Sequence, residues 1–273
     1  MAITASDVNK LRKQTGAGMM DCKKALTEAN GDFDEAISIL RKKGQKVAAK
    51  RADRETSEGC ALAASNDNNT FAAVVAVSCE TDFVAKNDDF VALTQHILDV
   101  AMTHQPADAD ALKALPFADG ITIGEKLIEQ NGVIGEKIEL AGYETVEAPY
   151  VSFYVHMNNK IATIVGLNEE AEEAAKDVAM QAAAMAPVAL NRDAVPQEVI
   201  DKELEIGKDL ARQEGKPEAM LDKIAQGRLN KFFKENTLVD QDFIKDGKLS
   251  VSKYLDSVKK GLHITDYKRV ALG

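Results

Sequence analysis

Residues 59–79 read Gly59-Cys60-Ala61-Leu62-Ala63-Ala64-Ser65, then Asn66-Asp67-Asn68-Asn69-Thr70, then Phe71-Ala72-Ala73-Val74-Val75-Ala76-Val77-Ser78-Cys79. Two apolar runs of strand length flank a cluster of asparagines, whose side chains tolerate the positive φ that a tight turn requires. The stretch predicts a β-hairpin. Phe90, Leu93, Ile97 and Ala101 follow at helical spacing, so a helix is expected to cover one face of it. About ninety residues later the order returns. Tyr150 to His156 alternates as a strand, Asn158-Asn159 turns the chain, Ile161 to Leu167 is apolar again, and Ala171 to Met185 is an alanine-rich helix. Strand, Asn turn, strand and helix, met twice, predict an α+β fold whose core is two related subdomains, each an antiparallel sheet packed by a helix.

Between the two units, residues 106–149 predict a short helix near Asp108 to Leu115, a turn at Gly132-Val133-Ile134-Gly135 and a strand near Lys137 to Ala141. Beyond the second unit, Pro196 opens a helix that runs through Glu214. Gly215-Lys216-Pro217 is then a stop followed by a start, with Gly as the cap and Pro in the first turn. A second helix to about Lys234 completes a helical hairpin over 195–235, a candidate contact arm.

Upstream of the first unit the pattern is helical. Thr4 and Asp7 have the spacing of a capping box, and Val8 and Leu11 begin an apolar stripe that Gly16-Ala17-Gly18 ends. Cys22, Ala25, Leu26 and Ala29 define a second helix; Asp32 caps a third through Phe33, Ala36, Ile37 and Leu40. Gly44 is expected to end that helix, with Gln45 to Arg54 as a separate linker helix. The predicted domains are therefore 1–54, 55–141 and 142–273.

Charge divides at the same place. The 273 residues carry a formal net charge of −10, but residues 1–54 hold a balance of +5 and the remainder −15. An acidic core argues against a polyanion as principal partner, since phosphate neutralisation needs surplus Lys and Arg. The basic segment alone keeps a nucleic-acid or ribosome-binding role open. Cys22, Cys60 and Cys79 lie far apart without a C-x-x-C pair, so neither a disulfide framework nor a zinc site is expected. The first residues lack the basic-then-apolar order of a signal peptide, and the longest apolar run, Phe71 to Val77, is too short for a membrane span. A cytoplasmic protein is expected. No P-loop, G-x-G-x-x-G, H-E-x-x-H or G-x-S-x-G motif occurs, so an enzyme is the less favoured class and no cofactor or metal is expected.

Two stretches carry more than composition. Thr15-Gly16-Ala17-Gly18-Met19-Met20-Asp21-Cys22-Lys23-Lys24-Ala25-Leu26 joins a glycine turn to an amphipathic helix, and Thr81-Asp82-Phe83-Val84-Ala85-Lys86 follows directly after the Phe71 to Cys79 strand. In this order, and with Gly215-Lys216-Pro217 and Leu238-Val239-Asp240-Gln241-Asp242-Phe243 behind them, they resemble the bacterial elongation factor Ts family over essentially the whole chain. The resemblance implies a guanine-nucleotide exchange factor for the GTPase elongation factor Tu, without covalent chemistry of its own. It also implies a ubiquitin-associated-like helical domain at 1–54 and a helical hairpin inserted in the second core half.

At the level of residues, the resemblance makes Thr81, Asp82, Phe83 and Val84 a wedge that intrudes near the partner's Mg²⁺ site. Phe83 would enter an apolar pocket between helices, and Asp82 would disturb the metal's surroundings. Lys23, His156, Phe243, Ile244 and Lys245 match partner-binding positions. The residues themselves leave another reading open. Phe83, Phe90 and Ile97 are spaced by seven, which one continuous helix would turn into a core stripe, with Thr81 or Asp82 as its cap. The polar run Lys86-Asn87-Asp88-Asp89 instead allows a separate exposed turn. Lys23 alone reads as a solvated helix face, His156 as an ordinary strand histidine and Phe243 as core. Homodimerisation stays open, because the 195–235 hairpin is where members of the family vary.

Overall fold

A computed structural model describes residues 3–118 and 120–273. The chain begins with three helices, α1 (Ala5–Thr15), α2 (Met19–Glu28) and α3 (Phe33–Lys50). Thr4 and Asp7 form the predicted capping box, and Gly16 ends α1 at φ 72°, a conformation that only a residue without Cβ adopts freely. Val8, Leu11, Cys22, Leu26, Ala36 and Leu40 close a small core among the three.

The first hairpin is β1 (Glu58–Ser65) and β2 (Phe71–Cys79), paired antiparallel from Glu58–Cys79 to Ser65–Ala72. A single helical turn, α4 (Asp82–Ala85), separates β2 from the covering helix α5 (Asp88–His104). Next come α6 (Ala109–Ala114), the short pair β3 (Pro116–Ala118) and β4 (Ile121–Thr122), and α7 (Ile123–Ile134). The strand β5 (Glu139–Glu147) then returns to pair with β2, giving the order β1-β2-β5. The second hairpin, β6 (Tyr150–Val155) and β7 (Ile161–Leu167), is covered by α8 (Glu172–Met185). The helical hairpin is α9 (Gln197–Gln213) and α10 (Leu221–Asn236). It is followed by β8 (Asp242–Phe243), β9 (Asp246–Ser250), α11 (Val251–Val258) and β10 (Ile264–Ala271), which completes a sheet in the order β10-β7-β6.

The period-2 geometry of strands explains the layering. On β2, Phe71, Ala73, Val75 and Val77 face α5, through Phe90, Leu93 and Ile97, while Ala72, Val74 and Ala76 face the second sheet. On β7, Ala162 and Ile164 face the first sheet and Val165 and Leu167 face α8. Every residue of β2 is buried, which is why its sequence is a continuous apolar run rather than an alternation. The small alanines between the sheets let them approach closely. The two hairpins also exchange backbone hydrogen bonds: the Ala61 amide donates to the Asn159 carbonyl at 2.6 Å, and the Val151 amide donates to the Asn69 carbonyl at 2.7 Å. Asn69 and Asn159 occupy the left-handed region at φ 50° and 53°, the conformation for which asparagine turns were expected.

Three expectations are corrected. Gly44 does not end the third helix, and Gln45 to Lys50 continues α3 rather than forming a separate linker helix. Gly132-Val133-Ile134 is not a turn but the last turn of α7, with Gly135 alone in the left-handed cap at φ 83°. One contact explains both errors: α3 crosses α7 at these glycines. A Cβ on Gly44 would fall 2.5 Å from the Ile128 carbonyl oxygen, and one on Gly132 2.8 Å from the Gly44 Cα. The glycines are there for close approach, not for termination. The strand expected at Lys137 to Ala141 starts at Glu139 and extends to Glu147.

Candidate functional site

The 81–84 turn follows from the end of a fully buried strand. The spacing of seven between Phe83 and Phe90 does not make one helix, because the chain breaks at Lys86-Asn87 and the Asn87 side chain caps α5 by accepting from the Asp89 amide at 2.8 Å. Phe83 therefore leaves the core stripe and stands 84% exposed, while Phe90 and Ile97 are buried. Val84 and Ala85 pack partly against the core below it. Thr81 holds the N-cap position of α4, yet its hydroxyl does not cap. It donates instead to Oε1 of Glu136 at 2.7 Å, and the amides of Glu80 and Thr81 donate to Oε2 of the same carboxylate at 3.0 and 3.1 Å.

A second carboxylate answers the first. Glu80 accepts from the Lys137 amide at 2.7 Å and from Nη1 of Arg51, the residue capping α3, at 2.8 and 2.6 Å. Burial works against ionisation of Glu80. The bonds from the Lys137 amide and the Arg51 guanidinium outweigh it and hold the carboxyl below its ordinary value. Asp82 is paired with Lys86 one turn on, at 2.6 Å, and that bond lowers its pKa. Beside the turn, a groove of about 780 Å³ runs between the end of α1 at Lys13 to Gly16 and the core, with Phe83, Val84, Leu93, Phe117, Lys126 and Val133 among its walls.

The other sequence-predicted residues lie on separate elements and share no hydrogen bond, ion pair or apolar cluster with the turn among the described residues. Lys23 is exposed on α2. His156 directly follows β6 and is half-buried, its Nδ1 3.1 Å from the Tyr154 hydroxyl. Phe243 is buried and stacked on Tyr254, with ring centroids 3.9 Å apart. Core packing, the plainer expectation, is its observed place. Lys245 reaches back to the buried Asp177 at 2.5 Å, and that bond raises its pKa. Asp177 also accepts from the Tyr254 hydroxyl at 2.8 Å, and the Ile244 amide donates to Gln181 at 2.9 Å. Of the three, Ile244 alone turns a large apolar surface outward.

Sequence reasoning missed two groups. Met20, 77% exposed, sits one turn before Lys23, and Met157, 93% exposed, is adjacent to His156. A signal existed for Met20, since it lies off the Cys22-Ala25-Leu26-Ala29 stripe and an apolar side chain there must face water. No local signal marks Glu136, Glu80 and Arg51, which meet only because distant segments fold together. Among the described residues no cluster of His, Cys, Asp or Glu is arranged to hold a metal ion, and no helix is long and apolar enough to cross a membrane.

Comparison with known proteins agrees across the whole length. The model of the family described as Elongation factor TS matches residues 80–273. The chain is 58% identical to Elongation factor Ts of Christiangramia forsetii over 274 aligned residues, covering 99% of each. It is 54% identical to Elongation factor Ts of Amoebophilus asiaticus over 100% of both chains, and 52% identical to that of Porphyromonas gingivalis over 100% of this chain and 99% of the relative. The exposed Thr81–Val84 turn, the α2 helix with Lys23 and the helical hairpin thus lie within a match that leaves no sizeable part of the chain out, and the chain belongs to the elongation factor Ts family.

Proposed function

We propose that this protein binds elongation factor Tu in its GDP form, disturbs the Mg²⁺ and phosphate site and so releases GDP, allowing GTP to enter during translation elongation. Family membership itself carries the coarser statement, a role in nucleotide exchange on elongation factor Tu in protein biosynthesis. The observation that supports the finer reading is the exposed Phe83 on a turn tied to its core by hydrogen bonds.

A GTPase holds GDP through backbone amides and a Mg²⁺ ion on the phosphates, and Mg²⁺ demands near-octahedral oxygen ligation. A partner that binds the nucleotide-free form more tightly weakens nucleotide binding by the same factor. Such a partner needs a wedge and an interface, and no bond-making side chain. Phe83 is the wedge in this reading, with Thr81, Asp82 and Val84 shaping it. Asp82 approaches the metal site with a charge already paired to Lys86, so it acts on the Mg²⁺ surroundings as an ion pair rather than as a bare carboxylate. Lys23, His156, Ile244 and the exposed Lys245 contact the partner elsewhere; Phe243, packed in the core, contributes to that contact from within. Residues 1–54 form the ubiquitin-associated-like helical domain, 55–141 and 142–273 the two related core halves, and 195–235 the inserted hairpin. The reciprocal Ala61–Asn159 and Val151–Asn69 bonds support that pairing of halves. The protein works in the cytoplasm, where its partner does.

The test is release of a fluorescent GDP from purified elongation factor Tu. Burying a phenyl ring is worth about 1.5–3 kcal/mol, so Phe83→Ala is expected to slow stimulated release roughly ten- to hundred-fold. An exposed residue leaves thermal stability unchanged when truncated. Wild-type exchange by the Phe83→Ala protein would overturn the wedge.

A further inference from the structure

We propose that Glu136 is the positioning residue of the wedge: it fixes the direction in which Phe83 projects by binding Glu80 and Thr81, the two residues that join β2 to the helical turn. This rests on the reading of the 81–84 turn as the wedge.

The argument begins with the turn's own weakness. α4 is one turn long, and an isolated turn of helix has no stability of its own. Its internal support is the Ala85 amide to the Thr81 carbonyl at 3.2 Å and the Lys86 amide to the Asp82 carbonyl at 3.1 Å. Neither bond sets the orientation of the turn relative to the core. The usual local device is also absent, because the Thr81 hydroxyl is turned away from the helix end toward Glu136. The Glu136 carboxylate thus collects three donors from two consecutive residues: two amides on one oxygen and a hydroxyl on the other. Amide and hydroxyl bonds to a charged acceptor are shorter and stronger than neutral ones, and a carboxylate held from both oxygens defines a plane rather than a point.

Glu136 is itself well placed to act as a fixed point. It directly follows Gly135, the left-handed cap of α7, and α7 is the helix that α3 crosses at Gly44 and Gly132. The next residue returns the bond, since the Lys137 amide donates to Glu80. Segments 80–81 and 136–137 therefore cap each other with exchanged carboxylates, and Arg51 at the end of α3 closes the arrangement onto Glu80. The joint links the helical segment, the wedge and the α7–β5 corner. Thr81 and Glu136 lie 55 residues apart in sequence, so no local signal connects them.

The experiment is a double-mutant cycle on GDP release, run with full-length protein and purified elongation factor Tu. Glu136→Ala is expected to lower the maximal stimulated release rate tenfold or more. In the Phe83→Ala background the same change should cost less than twofold, because a residue that acts through Phe83 has nothing left to aim. Hydrogen exchange supplies the second reading: the bonded amides of Glu80, Thr81, Ala85 and Lys86 should speed up in Glu136→Ala, while those of β2 stay protected. Glu136→Gln, which keeps one acceptor oxygen, should fall between wild type and alanine. Where Glu136→Ala disturbs folding, Thr81→Val carries the same cycle, since it removes only the hydroxyl bond. Multiplicative effects of the two mutations, or wild-type release by Glu136→Ala, would sink the positioning role while leaving the wedge intact. Wild-type release by Phe83→Ala would remove the wedge and the role of Glu136 together.

Discussion

Phe83 and Glu80 show two opposite demands on neighbouring residues. Phe83 keeps an apolar ring in water, which is tolerated because its neighbours carry the folding. Glu80 is drawn inward and charged, with Arg51, Arg54 and Lys137 facing it from two segments and Glu136 close by. Its lowered pKa makes a stability statement with a definite sign. A folded carboxyl that holds its proton more weakly than the unfolded one contributes stability above its ordinary value of 4.5, lost as pH falls through the lower folded value. Removing the charge should therefore matter at neutral pH and cease to matter in acid. Urea unfolding of wild type and Glu80→Gln is expected to differ by about 1–3 kcal/mol at pH 7, with the gap constant down to roughly pH 5 and closing below it. A gap that stays constant into strong acid would mean that shape, not charge, makes Glu80 useful.

At the level of elements, the sequence was legible where one helix face or one strand had to satisfy its own neighbours. The two hairpins, their asparagine turns, α5, α8 and the pair α9–α10 all carry periodicity or turn chemistry within a few residues. What escaped was set by distant partners. Gly44 and Gly132 read as breakers because glycine weakens an isolated helix; their real function depends on another helix 2.5 to 2.8 Å from where a methyl would stand. The Thr81–Val84 turn was legible as a candidate, but its exposure depended on the break at Lys86-Asn87, and its clamp on residues far along the chain. The glycine crossing yields a test with an inverted sign. Gly→Ala inside a solvent-facing helix normally stabilises by about 0.5–1 kcal/mol. Gly44→Ala should instead destabilise by about 1–3 kcal/mol, since the methyl meets a backbone carbonyl that cannot rotate aside. A rise in melting temperature would show that α3 and α7 can separate at no cost.

The whole molecule is held by sharing between its halves. Each hairpin turn supplies a carbonyl to a strand of the other, and the sheets meet through alanines with no layer between. Neither sheet is covered on both faces without its counterpart, so the core should unfold as one unit even though the helical segment has apolar contacts of its own. Native-state hydrogen exchange checks this: the amides of Ala61 and Val151 are expected to exchange with the same opening free energy, within about 1 kcal/mol, as the centres of β2 and β7. Separate values for the two hairpins would mean separable halves. The strand order β10-β7-β6 adds a consequence in time. During synthesis, α1 to α3 and the first hairpin leave the ribosome early, yet Ala61 waits for Asn159, and β7, paired with β6 on one side, lacks its second neighbour until residues 264–271 have emerged. The amide bond from Leu272 to the carbonyl of Lys160 forms only after β10 itself has emerged. A factor of the translation machinery thus keeps its second sheet open until β10 has been made, and a ribosome that stalls before residue 264 releases an unclosed sheet.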